Sequence, residues 1–499
     1  MEKKHPETSE VEVAAADVER GGTLDDARSS PEVMYIDPKL ERRVVRKLDR
    51  RLLTLVCSLA VLAYIDRGNL GNARIAGMDV DLQLFGDRFD WLSTIFFIPF
   101  VIFHVQVIMW KKWRHDYMTA FTVLLWGLSS TLQAAVRNWE TEMAFRFFLG
   151  VAESIFSTGM MYLFTFYYRR NELGLRCALY LSSAPFSSSF AGALAYAITA
   201  GKFSIANWRV LFLVEGIPSI LMAPVALYFL PRGPDQATFF TPEEKEVAVA
   251  RLKGQVGHSD RIGSIAWSEL WATLYDMNAW LPTVMSFTSA CCWGSLPIFL
   301  PTMIKSMGFT AATSQGLTAP PYLFAAFFTV TVSWYSDKYQ QRAIAVVSSA
   351  LLASVGYALL SACESIWLRY FGMFLAAGGL FSGSSNLSPW VMNNQGSDSR
   401  RGFTMVLVGV IGLSGTVLGS RIYPLADGPR YVKGNTLCAS LMVTQCILGT
   451  IYRWLLTREN RKLDKLYGTL VERQLQSNLG ENQRIAGEED YGPNFRYVL

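Results

Sequence analysis

The feature that most restricts the fold of this chain is a series of apolar runs, each about as long as a membrane is thick. A helix needs roughly 20 apolar residues to cross the hydrocarbon core of a bilayer. The runs lie near 52–72, 91–110, 117–136, 143–167, 175–199, 208–230, 280–304, 317–336, 343–363, 367–392, 403–424 and 436–456. Only helices or closed barrels satisfy the backbone in lipid, and runs of this length favour helices. We therefore expect an all-α membrane protein with twelve transmembrane helices.

The runs fall into two groups of six, and polar stretches flank and separate the groups. This spacing predicts five parts: a cytoplasmic N-terminal tail 1–51, a first six-helix half 52–230, a cytoplasmic connector 231–279, a second six-helix half 280–456 and a cytoplasmic C-terminal tail 457–499. Lys and Arg cluster before the first span and after the even-numbered spans, so the positive-inside rule places the tails and connector in the cytoplasm.

The polar parts carry few structural signals. Residues 1–38 lack apolar periodicity, which predicts a disordered segment. Within the connector, Thr241 and Pro242 are typical of a helix start, and they predict a surface helix that ends near Leu252. A further helical stretch is predicted around 458–476.

Charged residues occur inside the first and fourth predicted spans. Asp66 and Arg67 lie within the first span, where one such charge costs about 2.5–3.5 kcal/mol, so it normally faces the bundle interior. Arg146 and Glu153 are seven residues apart on the fourth span, which places them on one helix face about 10 Å apart. The alternatives are a structural ion pair or an interfacial arginine in the first span, and an interfacial Arg146 with Glu153 paired to a neighbouring helix.

Uncharged polar side chains add further candidates. His104, in the second span, is either a pH-responsive group, since free imidazole titrates near about pH 6.5, or a neutral, hydrogen-bonded packing residue. The tenth span offers amide donors and an aromatic face, which predict the wall of a second-half cavity. These side chains are Asn386, Trp390, Asn393 and Asn394.

Several short motifs occur in a fixed order from about Arg46 to Arg458. They are Asp66-Arg67-x-Asn69, Arg146-Phe-Phe-Leu-Gly150 with Glu153, Asn207-Trp208-Arg209 with Glu215-Gly216, Leu300-Pro301-Thr302, Pro320-Pro321-Tyr322 and Trp390 with Asn393-Asn394. In this order the chain resembles a fungal member of the anion:cation symporter (allantoate permease-like) family of the major facilitator superfamily. The resemblance covers all twelve predicted spans.

The resemblance implies the major facilitator fold, in which two six-helix halves rock about a site near the bilayer midplane. It implies an anion-attracting charge on Arg146, a second cationic group on Arg67 and proton coupling through Glu153, with Asp66 and His104 as further coupling candidates. Where family members commonly read Phe-Glu-x-Pro-x-Asn in the second span, this chain reads Phe103-His-Val-Gln-Val-Ile108. That departure changes the polar character of the helix and bears on substrate identity.

A gating loop is also implied by the resemblance. Asp337, Lys338 and Arg342 fill the place of the superfamily's loop motif, in which the aspartate caps a neighbouring helix end or pairs with a cytoplasmic arginine. The corresponding loop of the first half, from Trp110 to Arg114, lacks both the Asp and the Gly. The resemblance therefore implies a gate in the second half only.

These observations favour a monomeric secondary transporter in the plasma membrane, with a small organic anion such as a carboxylate vitamin or ureide taken up together with protons. An exporter of a fungal secondary metabolite and a non-transporting nutrient sensor remain alternatives. No cofactor, metal or nucleic-acid partner is expected. A membrane-embedded enzyme is disfavoured because the four histidines (His5, His104, His115 and His258) include no two at metal-ligand spacing. The sequence contains no nucleotide-binding loop, which argues against an ATP-driven pump.

Overall fold

The computed structural model describes residues 37–111, 113–253, 267–395, 398–468 and 496–499, and within these ranges the regular elements are helices. The predicted disordered tail therefore lies almost entirely outside the described residues. The first half contains α1 (Pro38–Leu48), α2 (Thr54–Ala73), α3 (Arg88–Ile102), α4 (His115–Gln133), α5 (Trp139–Phe164), α6 (Arg170–Ala200) and α7 (Asn207–Phe229).

The connector and second half continue the helical pattern. Their helices are α8 (Pro242–Lys253), α9 (Trp267–Leu274), α10 (Met277–Ser306), α11 (Ala311–Gly316), α12 (Ala319–Tyr339), α13 (Arg342–Ala362), α14 (Ile366–Asn393), α15 (Asp398–Leu407), α16 (Gly415–Gly419) and α17 (Val432–Tyr467). The surface helix α8 is confirmed, with the Glu244 amide donating to Thr241 Oγ1 at 3.3 Å and the Thr241 amide to Glu244 Oε2 at 3.0 Å.

Eight segments of the described chain are long and apolar enough to cross a membrane by themselves. The other four predicted spans are the helices α2, α4, α6 and α14, which are also helical over a comparable length. Asp66 and Arg67 make α2 less apolar, and serines do the same on α6. Together the twelve helical segments match the twelve predicted spans.

The two halves meet along a long seam. Helix α6 packs against α12 and α14, and α2 packs against α10. At one end Thr94 Oγ1 and Ser420 Oγ are 3.0 Å apart, and Gln315 Nε2 donates to Asn72 O at 3.1 Å. At the other end α6 approaches the last turn of α12 and the start of α13 at Gly174. Contacts therefore join the halves at both ends of the bundle.

One end of the bundle carries α1, α8 and the last turns of α17, and we call it the cytoplasmic end after the predicted orientation. Ion pairs dock α1 and its continuation there: Lys47 Nζ lies 2.7 Å from Glu244 Oε2, and Arg176 Nε lies 2.8 Å from Asp49 Oδ1. Val44 and Leu48 are buried beneath this layer. Residues 38–51, assigned to a tail from their charge, thus form a docked amphipathic helix, because one face is apolar.

Candidate functional site

The adjacent charges Asp66 and Arg67 make contacts in different directions. Arg67 donates from Nε and Nη2 to Glu153 Oε2 on α5, at 2.9 and 2.7 Å. Asp66 accepts hydrogen bonds from Ser130 Oγ of α4 at 2.5 Å and Ser219 Oγ of α7 at 3.2 Å. Successive residues of a helix do not face one another, so the two charges join α2 to three different helices.

Aromatic rings from both halves surround the Arg67 guanidinium. Its Cζ lies 4.5 Å from the ring centroid of Phe100, 5.2 Å from Tyr64, 5.3 Å from Phe96 and 5.4 Å from Trp293. Trp293 belongs to α10 of the second half, so Arg67 lies on the seam between the halves. Ring faces attract a cation, and this arrangement holds the guanidinium where both halves can act on it.

The two members of the Arg67–Glu153 pair differ in access. The Arg67 side chain keeps 10% of its surface exposed, whereas Glu153 keeps 1%. Glu153 Oε1 has no hydrogen-bond partner within the described residues. A ligand in the remaining space would therefore meet the guanidinium before the carboxylate.

Arg146 forms a separate pair on the same helix. Its Nε lies 3.2 Å from Glu142 Oε1, one turn earlier on α5, and both side chains are buried. Burial inside the bundle disfavours the alternative of an interfacial Arg146, whereas Glu153 does pair with a neighbouring helix. Arg146 and Glu153 share α5 as predicted, but they face different partners.

Sequence reasoning assigned no site role to two buried acids, Glu142 and Glu215, although Glu215 belongs to one of the motifs. Both oxygens of Glu215, on α7, are without a hydrogen-bond partner among the described residues, and Asp66 and Arg146 are its charged neighbours. Two signals were available: Glu142 precedes Arg146 by four residues, the spacing of a helical ion pair, and Glu215 interrupts an apolar run, which by default marks a functional position.

The charges of this cluster do not balance. Four buried carboxyl groups (Asp66, Glu142, Glu153 and Glu215) lie near two guanidinium groups, those of Arg67 and Arg146. Full ionisation would leave an excess of two negative charges, which is costly in a low-dielectric interior. Bound protons would remove that excess.

His104 lies in the 3-10 segment Phe103–Lys111 that continues the second span. Its Nδ1 is 3.0 Å from Thr158 Oγ1 of α5, and its ring packs closely against Gly409 of the second half. This geometry fits the alternative of a hydrogen-bonded packing residue across the seam. A role in proton coupling stays a prediction.

The tenth-span candidates are not brought together with Arg67. Asn386 Nδ2 donates to Ser333 Oγ of α12 at 3.1 Å, within the second half. Trp390 Nε1 and Asn394 Nδ2 both donate to Val498 O at 3.0 Å. Phe381 is the α14 residue whose ring contacts Trp293, and Asn394 lies 13 residues beyond it, about 20 Å along the axis.

Asn393, the last residue of α14, lies at the same cytoplasmic end as Asn394. We therefore leave Trp390, Asn393 and Asn394 out of the substrate site proposed below. The physical reason is length, because α14 has 28 residues and Trp390 lies nine residues, about 14 Å, beyond Phe381 along it.

The residues of the predicted gate lie at the cytoplasmic end of the seam. Arg342 Nη2 lies 2.6 Å from Asp337 Oδ1, and a Cβ on Gly174 would lie only 2.5 Å from Asp337 Oδ2. Gly174 is in the second turn of α6, so Asp337 pairs with an arginine and also lies near a helix start. Lys338 is exposed and lies over the Trp334 ring at 5.0 Å, outside this pair.

Comparison with known proteins agrees with this architecture. Residues 56–420 match the sequence profile of the Major Facilitator Superfamily, and the chain belongs to that superfamily. An uncharacterized transporter of Schizosaccharomyces pombe is 31% identical over 94% of this chain and 92% of its own length. The high-affinity nicotinic acid transporter of Saccharomyces cerevisiae is 28% identical over 92% of this chain and 85% of its own length.

Solved structures show the same fold. The proton:xylose symporter XylE superposes with a TM-score of 0.63 at 13% identity, covering 79% of this chain and 94% of that protein. A bacterial homologue of the lysosomal transporter Spinster, in an inward-facing form, gives a TM-score of 0.58 at 14% identity. These structures agree with the superfamily match in giving the chain the fold of a multi-pass membrane transporter.

Proposed function

We propose that this protein imports a small organic anion together with protons, as a member of the anion:cation symporter group, and acts as a monomer in the plasma membrane. The observation that carries the proposal is Arg67, which keeps 10% of its side chain exposed, which rings of both halves surround, and which pairs with Glu153 alone among the described residues. A guanidinium offers a planar fork that matches a carboxylate.

The same geometry supports a coupling mechanism. A substrate carboxylate that binds Arg67 displaces Glu153, and the displaced carboxylate takes up a proton from the side to which the site is open. The net charge of the buried site then stays constant, and this avoids the cost of an uncompensated buried charge. Release of the anion on the other side lets Glu153 lose its proton and return to Arg67.

The remaining acids have supporting roles in this proposal. Arg146 offsets the charge of Glu142 and lies near Asp66 and Glu215. We infer that Asp66, held by two serine hydroxyls, and Glu215 hold protons during the cycle. Asp337 and Arg342 close the cytoplasmic end when the halves rock, and Lys338 remains a peripheral member of that gate.

The rings around Arg67 favour a planar substrate. Tyr64, Trp293 and Phe381 form consecutive edge-to-face contacts, at 5.7 Å between the centroids of each neighbouring pair. A flat ring bearing one carboxylate could stack among them while its carboxylate binds Arg67. The similarity to a transporter named for nicotinic acid supports a substrate of this kind, a planar monocarboxylate.

Uptake by intact yeast cells that express the protein tests the proposal. Radiolabelled nicotinate, its uncharged amide, and an aliphatic monocarboxylate would be supplied at one acidic and one neutral external pH. We expect nicotinate uptake to exceed that of the amide by about tenfold or more, because the amide cannot form the charged pair, and to rise at acidic pH. If the cells take up none of the three compounds, the proposal is contradicted. Efflux from preloaded cells alone would instead indicate an exporter, and binding without flux a sensor.

A further inference from the structure

The described residues Arg496–Leu499 lie against the cytoplasmic end of the second half. Val498 O accepts hydrogen bonds from Trp390 Nε1 and Asn394 Nδ2, and the Val498 amide donates to Asn394 Oδ1 at 2.8 Å. One residue earlier, Asn460 Nδ2 donates to Tyr497 O at 2.9 Å, and the Tyr497 amide donates to Asn460 Oδ1 at 2.8 Å. Two asparagine side chains thus each bind both backbone groups of one residue, as a neighbouring strand would.

Side chains of the segment are also held. Tyr497 is 8% exposed and belongs to an apolar cluster with Trp390, Tyr452 and Leu456, against which Leu499 packs. Arg496 Nε donates to Asp464 Oδ1 at 2.7 Å, and its Nη2 donates to Gly468 O at the same distance. Arg496 therefore has acceptor partners, and Tyr497 and Leu499 have an apolar surface to pack against.

The segment contacts the gate directly. The Arg342 amide, at the first residue of α13, donates to Leu499 O at 2.7 Å. Amides in the first turn of a helix have no partner in their own helix, so Leu499 satisfies one of them. The same Arg342 pairs through its side chain with Asp337, beside Gly174 of the first half.

We propose that Trp390, Asn394 and Asn460 form a peptide-binding site whose ligand is the chain's own Arg496–Leu499 segment, and that docking of this segment holds the cytoplasmic gate closed. The segment fixes the start of α13, and Arg342 is then positioned to hold Asp337 against α6. Without the segment, the start of α13 loses its partner and the cytoplasmic end opens more often. This proposal does not depend on the identity of the transported substrate.

Peptide binding tests the site. A variant lacking residues 496–499 would be placed in nanodiscs and titrated with a fluorescent peptide of residues 490–499. We expect saturable binding that weakens by about tenfold or more with Asn394→Leu or Asn460→Leu, each of which removes two hydrogen bonds. Thr457→Ala is the matched control on α17, because that hydroxyl donates to Arg453 O of its own helix. Equal binding of the parent peptide and one with Tyr497→Ala would overturn the site.

Thiol labelling tests the effect on the gate. Cys177 lies on α6 one turn after Gly174, is 2% exposed and has Asp337 and Arg342 as charged neighbours. Alkylation of Cys177, followed by peptide mass spectrometry, should be about tenfold faster in the deletion variant, as expected for easier local opening, and should slow again when the peptide is added. Peptide binding without any change at Cys177 would overturn the gating role. If the deletion variant does not fold, full-length Asn460→Leu provides the same comparison.

Discussion

The two six-helix halves have the same fold outline but place their polar groups differently. The first half buries Asp66, Glu142, Arg146, Glu153 and Glu215 within its spans. Among the described residues of the second half, the buried charged side chains are Arg342 and Arg369, and each lies in the first turn of its helix.

Neutral hydrogen bonds take the place of charges inside the second half. Ser289 Oγ donates to Gln445 Oε1 at 2.8 Å, and Ser382 Oγ donates to Ser349 Oγ at 2.8 Å. Bonds of this kind hold helices together at about 0.6 kcal/mol on average, and they do not change with pH. Under the proposed function, the first half carries the proton and anion chemistry, while the second half supplies aromatic surface and the proposed gate.

The largest expected effect comes from removing the Arg67 charge. In Arg67→Ala, Glu153 is left buried without its partner, a change that costs about 3–5 kcal/mol for a broken buried pair. We expect uptake per molecule at the cell surface to fall about 100-fold or more, and Arg67→Lys to retain part of it. Gly68→Ala is the matched control, because a Cβ there would meet no atom within 4 Å. Normal uptake by Arg67→Ala would indicate that the substrate anion binds Arg146 instead.

The next effect concerns the pH dependence of uptake. Lower external pH supplies protons to Glu153 when substrate displaces it from Arg67, so parent uptake should rise as pH falls. Glu153→Gln resembles the protonated form at every pH, and its pH profile should become flat. Uptake measured across an external pH series checks this, with surface expression as the control. If Glu215→Gln flattens the profile and Glu153→Gln does not, the coupling proton lies on α7.

A smaller effect is expected at the gate, where the halves touch. Gly174→Ala would push a methyl group against Asp337 Oδ2, and overpacking of this kind costs about 1–3 kcal/mol. We expect uptake to slow about fivefold or more, because the cytoplasmic end cannot close fully. Gly402→Ala, at the start of the eleventh span, is the control, since its Cβ would meet no atom within 4 Å. Equal rates for the two variants would show that this close approach is unimportant.

The smallest effect is expected inside the second half. Asn386→Ala removes the hydrogen bond to Ser333 Oγ. A loss near 0.6 kcal/mol corresponds to a change of about threefold at most in the apparent Km. The apparent Km for the anion should stay within that range, and Ser333→Ala should behave alike. A large rise in Km with Asn386→Ala alone would show that the amide binds substrate, and the contrast between the halves would then be weaker than we infer.

Membrane insertion explains why the fold could be predicted from the sequence. Run length, the gap between Leu230 and Met277, and the Lys/Arg bias depend on local composition, and a bilayer acts on each segment separately. The helix start at Thr241 was predicted for a similar reason, because a cap depends on residues within one turn. These features require no knowledge of distant contacts.

Side-chain partners were decided by the tertiary structure. From spacing alone Arg146 and Glu153 share a helix face, yet Arg146 pairs with Glu142 and Glu153 pairs with Arg67, which is 86 residues away. Trp390 and Asn394 look like cavity residues because they are polar or aromatic within a span, but they bind the backbone of Val498. The sequence alone determined how many helices cross the membrane and which charges they carry. Only the packing of those helices decided which charges meet, because partners are set by helix rotation and depth, which depend on long-range contacts.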